Sequence, residues 1–97
     1  MLGRNEHLEA ITDPEAQIRQ VFRNVEAVLT EAGCGWPDVF ELTGYFTDIR
    51  AHFDLFINVR SAFINEPHPA MTMIGIAELA HPDLICELKG IALFPNA

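Results

Sequence analysis

The chain has 97 residues, of which 49% are hydrophobic and 21% are charged, and its net charge is -8. This length and composition predict a single soluble globular domain over residues 1–97 and exclude a disordered chain. Nucleic-acid binding depends on clustered Lys and Arg side chains. Because six basic residues are scattered among fourteen acidic ones, we expect no nucleic-acid partner.

Cysteine and histidine usage indicates neither a metal centre nor a disulfide framework. Cys34 and Cys86 form at most one bridge, and the four histidines share no metal-ligand spacing with them. No leader peptide is recognisable, and no apolar run approaches the ~20 residues that span a bilayer. We therefore expect a cytoplasmic protein with reduced thiols, no metal, no cofactor and no membrane partner.

The sequence TDPEAQ predicts the start of a first helix. Thr12 or Asp13 can cap it, Pro14 suits its first turn, and Gly33 is placed to end it. Apolar residues recur at helical spacing and predict one packed face, made of Ile18, Val21, Phe22, Val25, Val28, Leu29 and Ala32.

The stretch VFELTGYFT alternates as a β-strand does and is rich in strand-forming residues. The alternation places Phe40, Leu42, Gly44 and Phe46 on one face of this strand. A second helix is predicted over about residues 49–64, capped by Thr47 or Asp48 and with an apolar arc that includes Phe53 and Phe56.

Arg60 falls inside the apolar arc of the second helix. The ordinary explanation is an arginine whose stem covers the core while its head reaches water. The alternative is a guanidinium that points into a pocket. Two further strands are predicted, at about 71–78 and 84–94, so the fold class is α+β: two helices on one face of a small mixed sheet.

Five stretches, in this order, resemble the RidA/YjgF family of small imine deaminases. They are DPEAQIRQVFRNVEAVLTEAG, DVFELTGYFTDI, HFDLFINVRSAFI, PAMTMIGIAEL and ICELKGIAL, and together they cover about residues 13–94. Some relatives also carry the labels translation initiation inhibitor or L-PSP endoribonuclease. The resemblance implies a chorismate-mutase-like two-layer fold, a homotrimer, and a small-molecule pocket at each subunit interface.

The resemblance also implies the site residues. In catalytic members an arginine after a Pro-Ala pair binds the substrate carboxylate, and a glutamate in the last strand helps to activate water against the imine. A guanidinium can grip a carboxylate bidentately, and a carboxyl group can carry protons to and from water. Glu87 is then the candidate catalytic residue, and the candidate substrate-binding residues are Met71, Thr72, Met73, Arg60 and Phe94.

The sequence departs from this pattern at Met71, which stands where the arginine is implied. Lys89 stands where many members carry a second acid. A thioether cannot replace two charge-assisted hydrogen bonds, each worth about 1.5–3 kcal/mol, so we expect loss of activity on ordinary amino-acid imines. Plainer alternatives stay open: strand packing for Met71 and Met73, and a solvent-facing or interface glutamate for Glu87.

Members of the family begin with a β-hairpin. The stretch LGRNEHLEAI at the start of this sequence corresponds to the part of the family pattern that follows this hairpin. We therefore expect an uncovered sheet edge, whose free N–H and C=O groups are open to a neighbouring strand. A covering chain, a late start of the reading frame and a shortened domain are all compatible with the sequence.

Three functions compete. The first is a RidA-like enzyme acting on an altered, uncharged imine or carbonyl substrate, with Glu87 as acid and base. The second is a non-catalytic oligomeric binder or scaffold with apolar clefts, which the adaptable side chains of Met71 and Met73 suit. The third, an endoribonuclease, rests on a label, and an acidic chain without paired histidines disfavours it.

Overall fold

The computed structural model describes residues 1–4 and 11–94. Its elements are the helices α1 (Pro14–Glu31) and α2 (Ile49–Phe63) and the strands β1 (Val39–Phe46), β2 (Ala70–Gly75) and β3 (Cys86–Ala92), with a short 3-10 turn, Trp36–Asp38, before β1. The predicted element order is confirmed, and the last two strands are shorter than expected.

Side-chain caps define the helix ends. The Asp13 carboxylate accepts a hydrogen bond from the Ala16 N–H at 3.0 Å, and Asp48 accepts one from the Ala51 N–H at 3.2 Å. Gly33 follows α1 with a φ of 78°, a left-handed conformation that glycine adopts without steric cost. The aspartates, and neither threonine, are therefore the caps.

The sheet is mixed. Among the described residues it has three strands in the order β2-β1-β3, with β1 parallel to β2 and antiparallel to β3. Helices α1 and α2 cover one face and form a core with it; the fully buried members of that core include Ile18, Phe22, Phe56, Leu42, Phe46, Cys86 and Leu88. The predicted α+β two-layer architecture is confirmed.

Strand β1 does not alternate over its whole length. Its register against β3 shifts between Val39 and Glu41, so Val39 turns into the core and Phe40 is left 46% exposed. The prediction that Phe40 shares the buried face of Leu42 is therefore wrong. An extra residue in one strand of a pair rotates the preceding side chains to the other face.

Three apolar residues lie outside the predicted packing. Val28 in α1 is 55% exposed, Phe53 in α2 is 42% exposed, and Ala32, which caps the end of α1, is also exposed, so these predictions are wrong. In α2 the fully buried side chains are those of Phe56 and Val59, which face the sheet.

The only buried polar residue among the described ones is Gln17. Its amide nitrogen donates to the carbonyl oxygens of Ile11 at 2.7 Å and Asp83 at 2.9 Å. Its amide oxygen accepts from the Ile85 N–H at 2.7 Å. One side chain of α1 thereby holds the segment before the helix and the loop before β3.

The first residues of the chain lie along the outer edge of β3. Leu2 forms an isolated antiparallel bridge with Glu87, and the Leu88 N–H donates to the Met1 carbonyl at 2.9 Å. Within the described ranges this is the only pairing on that edge, and no hairpin is present there. Both cysteines are free. No helix of the described part is long and apolar enough to cross a bilayer.

Candidate functional site

Glu87 lies on β3, on the face of the sheet that the helices leave open. It pairs with Tyr45, while its strand neighbours Cys86 and Leu88 are buried against the helices. Because side chains alternate along a strand, Lys89 lies on the same open face as Glu87. The sheet thus brings a carboxyl group, a phenol and an ammonium group to one surface.

A cavity of about 460 Å³ opens at the β3 edge. Its apolar wall comes from α1, through Val25, Val28 and Leu29, and its polar residues are Tyr45, Glu87 and Lys89. Burial lowers the pKa of the Met1 amine beside it, and the Glu87 charge opposes that change. We call this place the β3-edge cavity; it can hold a small molecule against a carboxyl group.

Met71 lies on the opposite face. It pairs with Leu42 at the start of β2, so its side chain points toward the helices, where it is half-buried against the core. The guanidinium of Arg60 meets it there, with 3.6 Å between Arg60 Nη1 and the Met71 sulfur. Arg60 and Met71, predicted separately, are in contact; we call this place the α2–β2 seam.

Arg60 is poorly satisfied at the seam. Its Nε atom is buried without a hydrogen-bond partner, and no carboxylate of the described residues forms an ion pair with it. A sulfur atom is a weak acceptor, so it does not offset the loss of water around a charged donor. Of the two terminal nitrogens, Nη1 donates to the Met71 sulfur, and Nη2 forms no hydrogen bond with a described residue.

The other predicted binding residues divide between the faces. Thr72 pairs with Thr43 and is exposed on the open face, whereas Met73 pairs with Gly44 and packs toward the core. Phe94 follows β3 and is 64% exposed. It comes seven positions after Glu87, about 23 Å of extended chain, and it does not line the β3-edge cavity.

Glu87 and the seam do not face each other within one chain. Strand β1 lies between β2 and β3, which puts them about 10 Å apart across the sheet. Along the strands, Glu87 is level with Tyr45 and Met71 with Leu42, a further offset of about 10 Å. Since the two side chains also point to opposite faces, a small ligand of one chain cannot touch both.

Tyr45 is the residue that sequence reasoning missed. Its place in the alternation of β1 already put it on the face away from Leu42. What the sequence could not give was the register that sets it opposite Glu87. No group of three metal-ligating side chains that could hold an ion occurs in the part of the chain that the structure covers.

Comparison with known proteins gives a consistent result. The family model described as Endoribonuclease L-PSP matches residues 2–94. The RutC family protein YjgH of Escherichia coli is 34% identical over 85 residues, and the RutC family protein slr0709 of Synechocystis is 32% identical over 82. These alignments cover 87% and 84% of this chain but only 63% and 62% of the two relatives.

Solved structures agree. A crystal structure of RidA from an Antarctic Psychrobacter superimposes with a TM-score of 0.91 at 29% identity. The match covers 97% of this chain and 76% of that protein. The chain therefore spans about three-quarters of this structure and less than two-thirds of the curated relatives.

Proposed function

Because this chain belongs to the endoribonuclease L-PSP family, which includes the RutC and RidA proteins, we propose that it hydrolyses small imines or enamines in clefts between identical subunits of a homotrimer. The observation that supports this best is the half-buried Glu87 at the β3-edge cavity, with Tyr45 and Lys89 beside it.

The chemistry needs one group that moves protons. Water adds through its oxygen to the imine carbon, and Glu87 takes the proton that this water releases. Glu87 returns this proton to the nitrogen, which gives a carbinolamine. It then takes the hydroxyl proton of the carbinolamine and passes it to the amino group, so that the carbon–nitrogen bond breaks, the C=O bond forms, and ammonia leaves with a carbonyl compound as the other product. Each turnover consumes one water and leaves Glu87 in its starting state.

The separation of Glu87 and Arg60 within one chain supports the proposed subunit arrangement. The two groups lie at different ends and on different faces of one sheet. A ligand that touches both must therefore contact Glu87 of one subunit and Arg60 of another. In this arrangement Arg60, with Met71 beneath it, supplies the positive charge that the family resemblance places at residue 71. The substrate class is then a carboxylated imine, in place of the uncharged one expected from Met71 alone.

Mixing two weakened variants tests the proposal. Glu87→Gln and Arg60→Met are each expected to lose most of the activity on an enzymatically generated enamine supplied at low concentration. Refolding them together at equal amounts should restore roughly a quarter of the activity, because some interfaces then pair a native Glu87 with a native Arg60. Light scattering gives the oligomeric state in parallel.

No recovery on mixing would contradict a site shared between copies, and a monomer in solution would contradict it independently. Full activity of the Glu87→Gln protein would contradict the catalytic role of Glu87. The matched control is Glu41→Gln, which removes the same charge from the open face of β1.

Binding without turnover is the second candidate function. Met71 and Met73, both half-buried at the start of β2, give the seam flexible thioethers that adapt to irregular ligands. Thermal-shift measurements with 2-oxo acids and apolar metabolites distinguish the two functions when combined with the enamine assay. Stabilisation without hydrolysis would favour the binder.

A further inference from the structure

A second pocket lies away from both places described above. It has a volume of about 250 Å³ and sits between the 3-10 turn before β1 and the segment that leaves α2. Trp36, Pro37 and Phe63 line it, with Glu66 and Pro67 on the outgoing segment. We call it the Trp36 pocket; neither Glu87 nor Met71 lines it.

Two aromatic rings form its wall. The rings of Trp36 and Phe63 have centroids 6.4 Å apart and planes at 67°, so they pack edge to face, and both residues line the pocket. Phe22 stacks on Phe63 at 5.3 Å from within the core. Two rings that already pack against each other lose little side-chain entropy when a ligand enters.

The electrostatics of this pocket favour a cation. The Trp36 indole N–H donates to the Glu26 carboxylate at 2.8 Å, and this interaction raises the electron density of the ring. Glu66 is among the lining residues, and neither Glu26 nor Glu66 forms an ion pair with any described residue. The whole chain carries a net charge of -8, which adds to the attraction.

The size and the apolar wall specify which kind of cation fits. An inorganic ion would lose its water against rings and proline methylenes and find few oxygen ligands there. A methylated ammonium group is weakly hydrated, and its methyl groups gain from contact with aromatic faces and prolines. Arg60 lies one helical turn before Phe63, but its guanidinium is turned toward Met71.

We propose that the Trp36 pocket binds a small methylated ammonium group, of the trimethylammonium class, through the rings of Trp36 and Phe63 and the carboxylate of Glu66. The site does not depend on the hydrolysis proposed above. It gives this chain a second ligand position, outside the interface cleft.

Trp36 provides the measurement, because it is the only tryptophan in the sequence. Its fluorescence is followed while tetramethylammonium chloride replaces sodium chloride at constant ionic strength. We expect a saturable change with tetramethylammonium and none with tert-butanol, a neutral molecule of nearly the same shape. Glu66→Gln should weaken binding about 2- to 5-fold.

The matched control is Glu31→Gln, which removes an exposed charge from the end of α1, outside the pocket, and should leave binding unchanged. An equal response to tert-butanol would show an apolar pocket without cation selectivity and overturn the proposal. Equal weakening by Glu66→Gln and Glu31→Gln would indicate a general field effect and overturn it as well. A response that does not saturate would overturn it outright.

Discussion

The β3-edge cavity and the α2–β2 seam differ in how their charged groups are accommodated. At the β3 edge the carboxyl group of Glu87 stands on an open face, beside a cavity of about 460 Å³. At the seam the guanidinium of Arg60 is partly enclosed, with one nitrogen buried and unsatisfied and another against a sulfur atom. The first place suits chemistry with water, and the second suits an anion that displaces water.

In the proposed function the binding charge moves to another position without being lost. The resemblance places an arginine at residue 71, on the edge strand, and this chain has a methionine there. The Arg60 guanidinium contacts that methionine from α2, so in the proposed site a helix supplies the cation that the resemblance places on a strand.

The largest expected effect concerns Glu87. Glu87→Gln should lower enamine hydrolysis by about 100-fold or more, because the amide cannot carry a proton between water and nitrogen. The melting temperature should change little, since Glu87 lies on the open face. The rate of ammonia release measures the effect, and Glu41→Gln should keep the full rate. If both variants lost the same rate, the loss would come from removing a negative charge anywhere on the open face and not from the position of Glu87 at the cavity.

Arg60→Met is expected to weaken carboxylate binding about 10-fold or more, because charge-assisted hydrogen bonds are lost. The free energy of unfolding should stay the same or rise, since the change removes a buried donor that has no partner. Calorimetry with a 2-oxo acid and urea unfolding measure the two quantities. Arg50→Met removes an exposed charge from the first turn of α2 and serves as the control. If binding were unchanged and stability fell, Arg60 would have a structural role and no role in binding.

Gly3→Ala tests how firmly the first residues hold the β3 edge. A Cβ at Gly3 would collide with the Gln17 side chain and lie 2.9 Å from the Gln17 carbonyl oxygen. We expect a loss of about 1–3 kcal/mol in the free energy of unfolding by urea. In Gly35→Ala the new Cβ meets only Pro37 Cδ at 3.5 Å, so stability should hold. Equal stability of the two variants would mean that residues 1–4 contribute nothing to the edge.

The smallest effect concerns the buried side of β3. Burial raises the pKa of Cys86 to about 12. The unfolded thiol ionises near pH 9.0, so its contribution to stability is complete below that pH and is lost as the pH rises toward 12. At pH 10 the loss should be about 1.4 kcal/mol relative to Cys86→Ala. Parallel urea curves for both proteins at pH 7 and pH 10 measure it, and identical pH dependence would contradict it.

The features that were predicted correctly from the sequence are those that depend on interactions between neighbouring residues. Asp13, Asp48 and Gly33 mark helix ends through their own side chains or backbone freedom, and each was among the residues proposed from the sequence. Phe40 was placed wrongly because a bulge depends on the partner strand, which a single-strand pattern does not contain.

The candidate site was predicted only in part. Sequence reasoning proposes Glu87, Arg60 and Met71 as separate candidates, but the contact between Arg60 and Met71 depends on how α2 crosses over the parallel pair β1 and β2. Trp36 and Phe63 form a pocket for the same reason: each is an ordinary apolar residue in its own segment, and only packing brings the rings together.

Gln17 has a consequence for how uniquely this sequence folds. A leucine of similar size would pack in its place and tolerate several neighbouring arrangements of the two segments around it. The Gln17 amide is satisfied only when two carbonyl oxygens and one N–H lie around it. Its hydrogen bonds therefore favour one packing arrangement over others that apolar contacts alone would make equally stable. Gln17, a side chain of the helical layer, thereby fixes where β3 begins. The position of Glu87 on that strand follows from it.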